Sequence, residues 1–550
     1  MIKPININSV NSSKSNPNKQ TPFNGSILEV AVAGLQACEA NPMLMVTAAD
    51  LTTAIAPRTI IEGKTNPHAG FEAFRRESSG LIINCLIPGL IVAGVAKAIQ
   101  GPIMGNKSKM ADCWANEDTI NMVSKYWEKA EGNNNREKVS DTFRRILNDI
   151  QGADGENTVI FKGKDFEDSI EKMTDEVFKQ DMPKGWSLSA IKARRAAKKA
   201  SQSEISKVFE AIINQTHTAE NIKIGGSAEY FSQGLGSIVE NTPKILKELV
   251  NGASPKDFIR KATNLVTAKS LMGLGIIIPL AISAQPINRW ITAKTSGKKG
   301  APIYKDFTQS QQKELSNEEK SALTKQKIIS ISSMVGVALL SIMKMPSMAM
   351  LKSITQFKGI FPSMDQARII STATFASRMG ASEDKNDLRE ATVRDIATFS
   401  AFYFLGDYVA KGIATGIQKF KGVKLINELK ALPKDSNVLE KIWHWTKNTA
   451  LKSSNEIHGA TPELTNYAKK MRGLCQLGNL AFSLVALGLV IPKMNRKKTD
   501  KEREKELKRM GVDQTTINKY YPSFEMKMNV KNTKNSFNTF PPFERLINEN

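Results

Sequence analysis

The stretch SLMGLGIIIPLAISAQPIN, residues 270–288, decides the fold class of this 550-residue chain. It holds no charged side chain, and as a helix it would be about 28 Å long, close to the ~30 Å hydrocarbon core of a bilayer. Three further blocks, residues 78–96, 328–343 and 473–492, are also apolar and uncharged. Together the blocks predict a mainly α-helical, multi-pass membrane protein with about four transmembrane helices.

The block at residues 328–343 is the shortest of the four. Its uncharged part would reach only about 24 Å as a helix before Lys344, so this span is marginal. Lys or Arg frames every block, and these side chains extend readily to lipid headgroups. The framing therefore fits helices that end at a membrane surface.

Polar segments make up the rest of the chain. Residues 97–269 contain several helical runs and predict a polar helical domain between the first two spans. The other segments are a disordered polar leader (1–26), short helices (27–77), a basic connector (289–327), a polar helical region (344–472) and a basic, partly disordered tail (493–550).

The charge of the one short loop between strong blocks predicts the orientation. Residues 289–327 carry nine Lys or Arg against four Asp or Glu, and short cytoplasmic loops are enriched in basic residues. This connector is therefore expected in the cytoplasm. Four spans would then place both termini there, together with the basic cluster that follows residue 492.

Residues 396–417 form a fifth helical candidate. A fifth span would move the basic cluster after residue 492 to the opposite side, against the positive-inside rule. We therefore expect this helix to be interfacial or buried in protein. It carries Asp407 and Lys411 at the i,i+4 spacing that lets two side chains pair, so they are a candidate intramembrane or interfacial ion pair; an ordinary exposed pair on a soluble helix is the simpler interpretation.

The chain is strongly basic, with a formal charge of +23, which favours an anionic partner. Its sharpest basic cluster would cover one arc of about 160° on a helix and is a candidate surface for anionic phospholipid headgroups. Trp186 is alone beside it, so base stacking has no support and nucleic acid is disfavoured. The cluster consists of Lys192, Arg194, Arg195, Lys198 and Lys199.

No nucleotide-binding, metalloprotease, nucleophile-elbow or EF-hand motif is present in the sequence. The four cysteines are too dispersed for a metal knuckle. We therefore expect no enzymatic activity, cofactor or metal.

Three classes of function remain open. The first is a non-enzymatic membrane scaffold or interaction protein, with the lipid bilayer and a protein of unknown identity as partners. The second is a transporter or channel, for which Asn84 and Gln476 are the notable polar residues inside the spans. The third is a soluble basic helical protein that binds nucleic acid or anionic lipid; blocks of this length exceed what a core helix needs.

Overall fold

The structure, a computed structural model, describes residues 47–48, 50–151, 164–178, 223–224, 235–309, 314–342, 355–359, 361–428, 435–452, 457 and 462–521. These residues are mainly helical, as the apolar blocks and periodic runs predicted. The sequence-derived leader (1–26), the end of the tail and the basic cluster at residues 192–199 lie outside them.

Seven helices lie in the described residues of the first half of the chain. In chain order they are α1 (Ala56–Gly63), α2 (Pro67–Leu81), α3 (Pro88–Met104), α4 (Glu117–Lys129), α5 (Asn135–Asn148), α6 (Lys164–Phe178) and α7 (Leu235–Val250).

The second half contains the longest helices. They are α8 (Pro255–Ser296), α9 (Asn317–Ile342), α10 (Met364–Gly380), α11 (Lys385–Ser400), α12 (Gly406–Lys421), α13 (Val438–Lys447), α14 (Pro462–Ser483), α15 (Ile491–Arg509) and α16 (Gln514–Tyr520).

Four π-helical turns adjoin these helices. Leu51–Ile55 precedes α1, Ile82–Leu86 extends α2, Ala401–Leu405 joins α11 to α12, and Leu484–Val490 joins α14 to α15. The residues at these junctions keep right-handed helical backbone angles, so α11–α12 and α14–α15 are each one continuous rod.

Two short antiparallel ladders complete the described secondary structure. Strand β1 (Ile150–Gln151) pairs with β2 (Lys223–Ile224), and β3 (Ile426–Glu428) pairs with β4 (Thr449–Leu451). A short 3₁₀-helix at Met110–Asp112 lies between α3 and α4.

Within the part of the chain that the structure describes, three helices are long and apolar enough to cross a membrane: Pro255–Ser296, Asn317–Ser341 and Glu463–Arg509. The α2–α3 pair is also long and apolar enough if the two helices count as one span, although the pair bends by 46° where α2 gives way to α3. Pro88 stands at this break and has no N–H for the preceding turn, which explains the bend. The predicted fold class is thus supported with three to four candidate spans.

The apolar helices pack closely through small residues. Gly273 of α8 lies against Val92 of α3, so near that an added β-carbon would stand 2.5 Å from the Val92 Cγ2 atom. Farther along, the Asn288 amide donates to the Ser79 hydroxyl of α2, which shows that α2–α3 runs antiparallel to α8. Helix α10 runs parallel to α8, because Phe357, before α10, donates to Ser270, and Ser377, near the end of α10, donates to the Ile282 carbonyl.

The region predicted as a polar helical domain has its own apolar core. Helices α4 to α7 surround the beginning of α8, and Val123, Phe143, Ile170 and Leu246 are buried among them. The amphipathic periodicity of these helices directs the charged side chains outward. This core lies at the opposite end of α8 from Arg289.

Candidate functional site: an ion-pair layer and a charged groove

Charged side chains that precede or follow the apolar blocks meet inside the bundle. Most of them form one network of buried ion pairs around Glu77, and two smaller groups, Arg289 with Glu72 and Asp387 and Arg496 with Glu390, lie near it; together we call them the ion-pair layer. Its cations are Arg58, Arg76, Arg289, Arg378, Arg394 and Arg496, and its anions are Glu62, Glu72, Glu77, Asp387, Glu390 and Asp395.

Glu77, the last residue before the first apolar block, is the most shared of these anions. Its carboxylate lies 3.1 Å from the Arg76 guanidinium and 3.5 Å from those of Arg58 and Arg378. Arg76 also reaches Glu62 at 3.0 Å. Three helices, α1, α2 and α10, are therefore joined through one carboxylate.

Arg289, the first residue after the second apolar block, joins two further helices to α8. Its guanidinium nitrogens lie 2.9 Å from Glu72 of α2 and 2.7 Å from Asp387 of α11. The contact with Asp387 is a charge-assisted hydrogen bond, which is stronger than a neutral one, whereas the contact with Glu72 is an ion pair without a well-aligned hydrogen bond.

The helix after the fourth apolar block enters the same layer. Arg496 of α15 pairs with Glu390 of α11, and the Asn495 amide donates to the Glu390 carbonyl at 3.4 Å. Beyond it, Arg503 pairs with Asp306 at 2.9 Å, which holds the segment after α8 against α15. On α9, the Lys327 ammonium donates to the Gly380 carbonyl at 2.9 Å. Each of the four apolar blocks thus has one of its basic ends at the same end of the molecule.

The six arginines of the layer are matched by six carboxylates. Burial alone would raise the pKa of Glu62, but the combined attraction of Arg76, Arg496 and Arg394 outweighs burial and lowers the pKa. Burial lowers the pKa of Arg58, and the neighbouring Glu77 opposes that shift. Balanced pairing of this kind compensates charges that would otherwise be costly to bury.

Arg58 extends deepest from the layer into the bundle. It is fully buried, donates to the Thr398 hydroxyl at 2.6 Å and approaches the Leu487 carbonyl at 3.4 Å. Leu487 belongs to the π-helical turn Leu484–Val490 inside the fourth apolar block. A π-helical turn interrupts the regular hydrogen bonding of a helix, so it can offer a backbone carbonyl to a side chain.

The four π-helical turns face the same interior region. The Tyr403 hydroxyl in one turn lies 2.9 Å from that of Ser371, and the Asn84 amide oxygen in another accepts from Thr374 at 2.9 Å. Asn84 was one of the polar residues expected inside the spans. Because its partner Thr374 lies on α10, Asn84 forms a contact between two packed helices. Such turns are frequent at functional sites, which marks this interior as a second candidate region.

Asp50 lies at the edge of that interior, one residue before the turn Leu51–Ile55 and outside the four apolar blocks. Burial raises the pKa of its carboxyl to about 7, the Glu77 carboxylate adds to the rise, and Arg58 opposes it. This carboxyl therefore changes charge near neutral pH.

A groove opens beside the ion-pair layer between α9, α11 and α15. Its volume is about 1060 Å³, and its walls carry six Lys or Arg and five Asp or Glu side chains beside the apolar Ile329 and Leu388. Burial raises the pKa of Asp384 in one wall, and the neighbouring Asp387 carboxylate raises it further. The groove can therefore face a partner surface that carries charges of both signs.

The predicted pair Asp407 and Lys411 lies on α12, away from the ion-pair layer. The Lys411 ammonium donates to the carbonyls of Trp445, Thr446 and Thr449 at 2.5, 3.1 and 3.2 Å. Burial lowers its pKa, and the Asp407 charge partly offsets that shift. Lys411 therefore serves chiefly as a cap for the carboxyl end of α13.

Sequence reasoning did not identify the ion-pair layer as a site. It recognised basic residues at the ends of the blocks, but their partners are distant in the chain: Asp387 is 98 residues from Arg289, and Arg378 is 301 residues from Glu77. The adjacent opposite charges Arg76–Glu77 and Arg394–Asp395 were the available signal.

Comparison of the chain with protein-family models, curated proteins and solved structures finds no match. The class of the protein is therefore defined by its own features: a mainly helical chain with three to four helices that are long and apolar enough to cross a membrane.

Proposed function

We propose that this chain is an integral membrane protein that acts as a non-enzymatic scaffold, with four apolar crossing helices against which α10 and the α11–α12 rod pack along the bundle. Large apolar side chains on the candidate spans face outward, among them Leu340, which is 75% exposed. Leu271 on α8 and Val485 on the α14–α15 rod are likewise exposed. Exposure of large apolar side chains on three candidate spans supports contact with a membrane.

The proposed orientation places the ion-pair layer, the groove and both termini in the cytoplasm. The basic connector at residues 289–327 lies at that end, and short basic loops favour the cytoplasmic side. Trp290 is exposed beside this end with the Lys294 ammonium 4.8 Å from its ring centre, a pairing suited to the headgroup region. The polar helical domain of α4 to α7 would then lie on the opposite side of the membrane from the cytoplasm.

The observation that carries the scaffold role is the charge balance of the ion-pair layer. Its guanidinium and carboxylate groups tie the ends of α2, α8 and the α14–α15 rod to one another, directly or through α10 and α11, and the Lys327 ammonium of α9 joins them through the Gly380 carbonyl of α10. Breaking any one pair leaves an uncompensated buried charge, which opposes relative movement of the helices. A rigid bundle of this kind suits a platform, and the groove is the surface that it offers to a protein partner.

Alkaline carbonate extraction of a membrane fraction tests the insertion. We expect the chain to remain in the pellet, and protease treatment of sealed right-side-out cells to spare tags at both termini. Release of the chain by carbonate would contradict insertion and would favour the soluble, basic helical alternative. Cleavage of either tag would overturn the proposed orientation.

A transporter is the second candidate, and the interior beside Asp50 favours it. An ionisable group that reaches the interior of a helical bundle is a frequent element of proton pathways. In sealed liposomes with a trapped pH-sensitive dye, an imposed pH gradient should collapse faster with the native chain than with Asp50→Asn. Asp407→Asn is the matched control. Equal rates for the native chain and Asp50→Asn would remove the transport hypothesis.

A further inference from the structure

Helix α13 presents an apolar face to the outside of the molecule. Val438, Leu439, Ile442 and Trp443 occupy one arc of about 140° and are all exposed; Leu439 is 77% and Trp443 60% exposed. The helix is well formed at its start, where Asn437 and Glu440 form a reciprocal capping box. A stable helix therefore holds this apolar face out of the protein core.

Helix α12 fixes the direction of that face. The Lys411 ammonium binds three carbonyls at the carboxyl end of α13 and lies 4.4 Å from the centre of the Trp445 ring. The Trp445 indole N–H donates to the Thr415 hydroxyl at 2.9 Å. His444 is buried on the same inner side. These contacts turn the opposite face of α13 outward.

The position of α12 sets the depth of α13 along the bundle. Ile413 lies against Gly478 of α14, where an added β-carbon would collide with the Ile413 side chain. Gly478 is five residues inside the fourth apolar block, about 8 Å along the helix from its start at residue 473. Helix α13 therefore lies near the edge of the hydrocarbon region, at the end opposite the ion-pair layer.

The surroundings of α13 fit the same boundary. Phe420 at the end of α12 is 81% exposed and stands between the exposed lysines Lys419 and Lys421. The Lys447 ammonium lies 4.3 Å from the centre of the Trp443 ring. Aromatic side chains beside lysines are enriched where acyl chains meet headgroup phosphates.

We propose that α13 and Phe420 form an interfacial anchor that lies in the surface of a phospholipid bilayer, with Val438, Leu439, Ile442 and Trp443 among the acyl chains. The inference rests on the proposed membrane insertion, and it adds a lipid-binding surface at the end opposite the ion-pair layer. Interfacial helices of this type bury their apolar face roughly 5–10 Å into the headgroup and acyl boundary.

Fluorescence quenching by lipids tests the anchor. The full chain is reconstituted in vesicles of phosphatidylcholine and phosphatidylglycerol, with an environment-sensitive dye on Leu439→Cys. Lys441→Cys on the flank of α13 is the matched control, and Leu340→Cys on α9 reports on the spans. The three described cysteines, Cys85, Cys113 and Cys475, are buried, and the unsubstituted chain serves as the labelling blank.

We expect phosphatidylcholine with brominated acyl chains to quench the dye at Leu439→Cys more strongly than at Lys441→Cys, and aqueous iodide to do the reverse. Strong lipid quenching at Leu340→Cys with none at Leu439→Cys would overturn the anchor and leave membrane insertion intact. Absence of lipid quenching at both positions would overturn the insertion itself.

Discussion

Arg289 is the residue whose loss the ion-pair layer should tolerate least, because it alone faces both Glu72 and Asp387. Replacing it with Met leaves two buried carboxylates without their shared cation. We expect Arg289→Met to lower the free energy of unfolding by about 3 to 5 kcal/mol, measured by SDS unfolding of the detergent-solubilised protein.

Arg260→Met on the same helix is the control for this substitution. Arg260 pairs with Asp257 at 2.6 Å in an exposed position, where such pairs contribute about 0 to 1 kcal/mol. Equal losses for the two variants would contradict a stabilising role for the buried layer.

Asp50 should make stability depend on pH. Its folded pKa of about 7 lies above the ordinary value of 3.8, so the folded protein holds a proton that the unfolded chain releases earlier. Stability therefore falls as pH rises from 4 to 7, by up to about 4 kcal/mol. Asp50→Asn should flatten this dependence, measured as the unfolding free energy across the same pH range. A wild-type profile that the substitution leaves unchanged would contradict burial of this carboxyl.

Among the helices, α3 and α8 approach each other closely at Gly273. We expect Gly273→Val to force α8 away from Val92 and to lower the free energy of unfolding by about 1 to 3 kcal/mol. Gly275→Val is the control, because nothing lies within 4 Å of the added β-carbon and the helix-propensity cost is the same. The comparison uses SDS unfolding, and similar losses would show that the approach is not close.

The contact between α12 and α13 should depend on Lys411. Lys411→Met removes the ammonium that binds three carbonyls, and hydrogen bonds to a charged group contribute about 1.5 to 3 kcal/mol. We expect faster amide hydrogen exchange over residues 438–447. Lys419→Met, an exposed position on the same helix, should leave that exchange unchanged. If both variants exchange alike, Lys411 does not hold α13.

The whole molecule places the ion-pair layer and the polar helical domain at opposite ends of α8. A membrane-impermeant maleimide should therefore label Lys129→Cys on α4 in right-side-out vesicles, and Lys299→Cys and Lys508→Cys in inside-out vesicles. The unsubstituted chain again serves as the blank. Labelling of Lys129→Cys and Lys299→Cys from the same side would contradict four crossing helices.

Local sequence predicts the helical class of the protein and its apolar helices, but not which polar side chains are buried between helices. The α-helical class and the apolar helices followed from runs such as residues 270–288, whose length and lack of charge are properties of consecutive residues. The continuous rod α11–α12 could not be anticipated, because Asp395 and Thr398 resemble surface residues until their partners on other helices are known.

The amino-acid sequence alone determined that this is a helical chain with membrane-length apolar blocks and basic ends, since hydropathy and charge are local. Only the tertiary structure decided which charges are paired. Glu77 and Arg378 are separated by 301 residues, yet they meet in the ion-pair layer. The Lys411 ammonium, which the sequence suggested as a partner of Asp407, also donates to backbone carbonyls that begin with Trp445 of α13. Pairing over such distances depends on how helices pack, and helix packing is set by close approaches such as Gly273 against Val92.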